Sequence, residues 1–186
     1  MNKRGKKISA KGRPSGVDTS GLSAFFSDTK RTDALAFEEL LKEPGPIALD
    51  IDRRLQRKVQ LHGLDRLSGA ERSVYLVSVL FGEVRNGGFH QYLYNTSGDS
   101  AGDVTDALKL LRAPREIVEV VAEALSLLPS APSRDRAERH KQVDTVGEAV
   151  LLKWRTLEDQ FFKMSDAFVE EFVRRHPQDF ALDPLS

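Results

Sequence analysis

From residue 33 onwards the apolar positions recur every three or four residues, the period of a helix that buries one stripe. Asp33 to Lys42 carries Leu35, Phe37, Leu40 and Leu41 in this way, behind Thr32, and Pro44-Gly45-Pro46 breaks the run. A second run from Ile47 to Leu61 spaces Ile47, Ile51, Leu55 and Val59 four apart, and Gly63 closes it. Ser68 and Glu71 stand at capping-box spacing, where the serine oxygen takes an orphan amide and the glutamate reaches back. The helix they open passes through Val74, Val77, Leu80, Phe81 and Val84. Residues 74–81 hold little but apolar groups, which predicts a central buried helix. A buried strand is the competing reading, and the cap and the length of the run favour helix.

Helical periodicity returns at Val104, Ala107, Leu108 and Leu111. Ala113-Pro114 then starts another helix, because proline's missing amide costs nothing in a first turn. Its core face is Ile117, Val118, Val121, Ala124, Leu125 and Leu128. Pro129 to Arg139 reads as a polar loop. A helix follows from Val143 to Leu157 with Val146, Val150 and Trp154 on one stripe. The last runs from about Ser165 to Arg175, aligns Phe168 and Phe172 with Phe161 and Met164, and ends at His176-Pro177. No alternating strand pattern and no repeat interrupts the series. The expected fold is all-α: a single compact multi-helix bundle over residues 23–186 behind a disordered basic tail, residues 1–22.

Charge adds the tail to this picture. The chain is formally neutral, yet residues 1–16 hold six Lys/Arg and no acid. Residues 17–186 are left with 22 basic against 28 acidic residues, a net of −6. The tail is therefore a candidate for contact with nucleic acid or another anionic surface, the alternative being a solvated tail or one folded back on the acidic body. The absence of cysteine excludes disulfides, thiolate zinc sites and cysteine nucleophiles. No apolar run approaches the roughly 18 residues of a membrane span, and a cytoplasmic location is expected.

The densest chemistry lies in Asn86–Asp99, NGGFHQYLYNTSGD. Gly98-Asp99-Ser100-Ala101-Gly102 spells G-x-S-x-G, and Asp135 and His140 follow in triad order. A nucleophile elbow needs a parallel sheet beneath it, however, and this chain offers none. Ser100 as N-cap of a helix starting near Ala101, with Asp103 in its first turn, is the simpler account. The histidines, His62, His90, His140 and His176, are dispersed, and none has a partner at i+4, so neither a metal nor another cofactor is expected. His90, Asn95 and Asp99 could surround a small-molecule site if the loop folded back. The architectural reading is more specific. Asn86-Gly87-Gly88 is a helix stop with a left-handed cap, and Phe89, Tyr92 and Leu93 form one short buried turn. Gln91, Tyr94 and Asn95 then tie the chain to Ser97-Gly98.

This segment resembles the signature of a bacterial domain family named after the C-terminal domain of a DNA-mimic protein. The family pattern is approximately NGGF, a variable residue, Gln-Tyr, two variable residues, Asn and Ser-Gly. Asn86, Gly87, Gly88, Phe89, Gln91, Tyr92, Asn95, Ser97 and Gly98 match it. The closing run LEDQFFKMSDAFVEEFVRRHPQDF, 157–180, is similar to the family's last element, so the resemblance covers about residues 45–180. It implies an all-α fold and, for the characterised relative, a dimer that presents carboxylates like DNA phosphates to a DNA-binding regulator. The corresponding candidate face here is acidic: Glu158, Asp159, Asp166, Glu170 and Glu171. The resulting expectation is a non-catalytic helical protein-binding domain whose partner is another protein, a DNA-binding regulator or a second copy of the chain. Nucleic-acid contact through residues 1–16, or a small-molecule or enzymatic site at the NGG segment, is the alternative.

Overall fold

The computed structural model describes residues 31–185. The expected tail, residues 1–22, lies outside them. Among the described residues eight α-helices of four residues or more follow in order: α1 (Phe37–Leu40), α2 (Ala48–His62), α3 (Gly69–Tyr94), α4 (Val104–Leu110), α5 (Arg115–Ser126), α6 (Arg136–Asp144), α7 (Glu148–Phe161) and α8 (Ala167–Arg175). Among the described residues there is no strand, so the all-α expectation holds.

Helix α3 is the axis around which the rest is wound. It begins where the sequence says: the Ser68 hydroxyl accepts from the Glu71 amide at 3.1 Å, and Glu71 accepts from the Ser68 amide at 2.8 Å. Val74, Val77, Leu80, Phe81 and Val84 are all buried along it, with α7 and α8 supplying the facing aromatics. Phe81 and Phe161 lie 4.5 Å apart between ring centres, and Phe89 meets Phe161 edge-on at 5.8 Å. Trp154 on α7 is buried and donates from its indole N–H to the Ala124 carbonyl on α5 at 2.8 Å. A buried tryptophan needs such an acceptor, and here it pins one helix to its neighbour.

The helix expected over 143–157 runs instead from Glu148 to Phe161, Val143 belonging to α6, and four further segments depart from the sequence expectation for a physical reason. The helix expected over 33–42 shrinks to α1, because the carbonyls of Thr32 and Leu35 accept from buried Arg54 at 2.8 and 2.7 Å. The Asn86–Gly88 stop is a break inside α3, after which helix resumes at once through Tyr94. Ser100 does not cap a helix. It is buried in a 3₁₀ segment, Thr96–Asp103, and α4 starts only at Val104. The loop expected over 129–139 ends early, because Asp135 accepts from the Glu138 amide at 2.9 Å and caps α6. The inward face of α6 is Arg139 and Val143, and a buried arginine does not register as an apolar stripe.

Candidate functional site

The NGG motif makes a kink that three charged side chains hold in place. At Gly88 the backbone has φ 78° and ψ −178°, a region essentially confined to glycine. This differs from the left-handed cap that the sequence suggested. It swings Phe89–Tyr94 off the axis of the preceding helix, so the first amides of the new turn have no partner within the helix. Glu158 on α7 supplies one, accepting from the Phe89 amide at 2.8 Å. A carboxylate at the positive end of a helix turn is electrostatically favoured as well. The fit is close: a Cβ on Gly88 would lie 2.2 Å from the Glu158 Oε1.

Glu83, one turn before the break, gathers the motif's polar side chains. Its carboxylate accepts from the Gln91 amide at 3.0 Å, the Asn95 amide at 2.9 Å and the Ser97 hydroxyl at 3.1 Å. These are the spaced polar residues of the signature, and the kink brings them to one acceptor. Replacing Glu83 with alanine strands the side-chain amides of Gln91 and Asn95, which are only partly solvated, while the Ser97 hydroxyl can still donate to the Tyr92 carbonyl at 3.3 Å. It should cost about 2 kcal/mol in urea unfolding, with Glu83→Gln losing less because its amide oxygen still accepts. Equal losses for the two variants would show that the carboxylate is not the organising group.

Arg139 completes the arrangement from α6. Fully buried, it donates to the carbonyls of Leu93, Asn95 and Ser133 at 2.7, 3.0 and 2.8 Å, and to Asp99 at 2.5 Å. Gly98 lies under this guanidinium. A Cβ there would come within 2.6 Å of the Arg139 Nε and within 2.9 Å of two backbone oxygens. Neither Glu83 nor Arg139 stood out in the sequence. The only hint of Glu83 is an acid inside the most apolar helix, and Arg139 lay in an apparent loop.

His90, Asn95 and Asp99 do not converge. Asn95 and Asp99 face Glu83 and Arg139, while His90 is exposed on the other side of the turn. Its ring stacks on Tyr94 at 5.6 Å, and Tyr94 stacks on His140 at 3.8 Å. The His140 Nε2 lies 2.7 Å from the Tyr94 carbonyl, placing an N–H donor on an orphan acceptor at the end of α3. Asn86 is exposed at the kink. Among the described residues no three His, Cys, Asp or Glu side chains group as metal ligands. None of the described helices is long and apolar enough to cross a membrane.

The five acids of the candidate acidic face are dispersed in their contacts. Glu158 is turned onto the kink. Glu170 accepts from the amides of Ile47 and Ala48 at 2.9 and 3.0 Å, closing the start of α2, and also pairs with Arg174. Asp166 pairs with Arg85 at 2.9 Å and Glu171 with Arg175. Asp159 is exposed. A second row is exposed along α5: Glu116, Glu119, which pairs with Arg115, and Glu123, which pairs with Lys153, stand at the edge of a groove of about 670 Å³ between α5 and the α7–α8 connection.

One further acid ties the 3₁₀ segment to its surroundings. Asp103 accepts from Arg72 at 3.1 Å and from Arg134 at 2.6 Å. Burial alone would raise its pKa, but the two arginines outweigh that and hold the carboxyl below the usual carboxylate range. A depressed folded-state pKa stabilises above the unfolded value, and the contribution is lost as pH falls through the folded one. Asp103→Asn should therefore cost about 1 kcal/mol at pH 7 and flatten the loss of stability below about pH 4. Urea midpoints at stepped pH would show this, and parallel acid limbs for the two proteins would refute it.

The model of the DMP19-like protein family matches residues 65–176, a span that begins just before the α3 cap and ends just after α8. No curated protein and no solved structure matches the chain. The match covers more than half of the chain and contains the whole kinked motif with Glu83, Arg139 and Glu158, so the protein belongs to the DMP19-like family of DNA-mimic-like helical proteins.

Proposed function

We propose that the chain is a non-catalytic protein-binding domain that engages a DNA-binding regulator by offering carboxylates where DNA offers phosphates. The family match over residues 65–176 carries this reading. The acid excess supports it: beyond residue 16, 28 acidic side chains face 22 basic ones. Mimicry works because a partner's Lys/Arg surface is selected to meet dense negative charge, so its affinity falls as salt rises. A body of −6 offers a short acidic strip and not the even charge of a duplex. The salt dependence of its complex should therefore be shallower than that of the same partner on DNA. The motif's polar groups are engaged with Glu83 and Arg139, which favours the non-catalytic reading. A cytoplasmic location and a homodimer belong to the same proposal.

Affinity capture from a nuclease-treated lysate, with the full chain and a version lacking residues 1–16, tests it. Mimicry predicts a DNA-binding protein held by both versions, released by salt and displaced by added duplex DNA. Retention of no such protein by either version would refute it. The concentration of six Lys/Arg without an acid in residues 1–16 favours a second reading, direct nucleic-acid contact through the tail. That reading requires salt-dependent DNA binding that disappears with residues 1–16.

A further inference from the structure

We propose that the groove between α5 and the α7–α8 connection is the docking site for a basic amphipathic helix of a partner protein. The inference rests on the protein-binding reading above and gives it a location.

The groove combines two features that neither the acid row nor the cavity has alone. Its floor is apolar, formed by Ile117 and Val120 of α5 with Met164 from the connection. Its edge is a row of exposed carboxylates, Glu116, Glu119 and Glu123, at positions i, i+3 and i+7. At 1.5 Å of rise per residue these are separated by about 4.5 and 6 Å along the helix. From Pro114 to Glu123 the groove runs about 13 Å, or two and a half helical turns. That length matches the i, i+3/i+4, i+7 anchors by which an amphipathic helix lies in a groove.

Charge selects the occupant. The row carries about one charge per 5 Å, sparser than the phosphate per roughly 3.4 Å of a single DNA strand but of the same sign and periodic. A second copy of α5 would set glutamate against glutamate, and nucleic acid would be repelled. A helix with Lys or Arg flanking an apolar stripe satisfies the edge and the floor together. The existing pairs do not prevent this. Glu119 pairs with Arg115 at 2.6 Å and Glu123 with Lys153 at 2.7 Å, all four side chains being substantially exposed. Exposed pairs of this kind are worth less than about 1 kcal/mol and give way to a competing cation. Gln160 and Lys163 form the opposite wall, so the basic side of the incoming helix must lie towards α5.

The test uses the full chain, isotope-labelled, and two synthetic peptides of identical Leu/Lys composition. One has its leucines on a single helical stripe and the other is scrambled. The striped peptide should shift the methyl resonances of Ile117, Val120 and Met164, and the scrambled peptide should not. The triple variant E116Q/E119Q/E123Q changes only exposed side chains and should keep its fold. It should bind the striped peptide about tenfold more weakly. Shifts confined to another face, or equal binding by the triple variant, would overturn the proposal. The same variant in the lysate capture separates the two readings. If a DNA-displaceable protein is still held when peptide binding is lost, the groove fails as the partner site and mimicry stands. If the native chain binds the peptide in the groove yet holds no DNA-binding protein, the groove stands and mimicry fails.

Discussion

Arg139→Met should lower the free energy of unfolding by about 4 kcal/mol, the largest loss expected from a single substitution at the motif. The side chain is fully buried, and its guanidinium is the common donor for four carbonyls, those of Leu93, Asn95, Ser133 and Arg134, and one carboxylate. Methionine keeps most of the volume but donates nothing. Asp99 is half exposed and can turn to water, and the Asn95 carbonyl keeps the Gly98 amide at 3.1 Å, so the stranded carbonyls of Leu93 and Ser133 dominate the cost. Each buried acceptor left without a donor costs about 1–3 kcal/mol. For a domain of this size the loss corresponds to a fall in Tm of about 10 °C. Arg139→Lys should recover only part of it, because one ammonium cannot reach acceptors arranged around a planar fork. Urea unfolding of the three proteins decides the matter. A loss below about 1 kcal/mol for Arg139→Met would mean that these carbonyls find water in the native state.

Gly88→Ala should cost about 3 kcal/mol, through two separable effects. The first is conformational: φ 78° with ψ −178° is essentially closed to residues with a Cβ. The second is contact, since the new methyl would sit 2.2 Å from the Glu158 Oε1 and push away the acceptor of the Phe89 amide. Gly87 is the internal control. Its φ of −155° lies outside the left-handed region, and the three nearest atoms to an added Cβ all belong to the side chain of Gln91. Gly87→Ala should thus cost about 1 kcal/mol, mainly through displacement of Gln91 from Glu83. The double variant Gly88→Ala with Glu158→Ala should be less destabilised than the sum of the singles, because the clash exists only when both partners are present. Strict additivity would assign the whole cost of Gly88→Ala to the backbone.

Much of the fold was legible along the chain. The Ser68–Glu71 box marks the start of α3, the four-residue spacing of Ile47, Ile51, Leu55 and Val59 matches α2, and the motif's glycines mark the break. These signals are local: a cap, a stripe or a glycine acts on backbone groups within one or two turns. What misled was also local in origin. Asp103 looked like a first-turn helix acid but is held by Arg72 and Arg134, 31 residues away on either side. Leu35 lay in a good helical pattern, yet its carbonyl is drawn off to Arg54. Propensity loses where a buried charged side chain takes over the backbone group that the helix would have used.

The candidate site divides in the same way. The helical fold and the DNA-mimic-like family could be read from the chain alone, because both reside in residue types at fixed short spacing. Which acids turn inward and which face out emerges from the packing of the helices. Glu158 and Glu170 close helix starts, Glu83 collects the motif's amides, and Glu116, Glu119 and Glu123 remain along an open groove. The physical reason is that a carboxylate's role depends on the donors brought to it from distant parts of the chain, and those pairings exist only once the helices have packed.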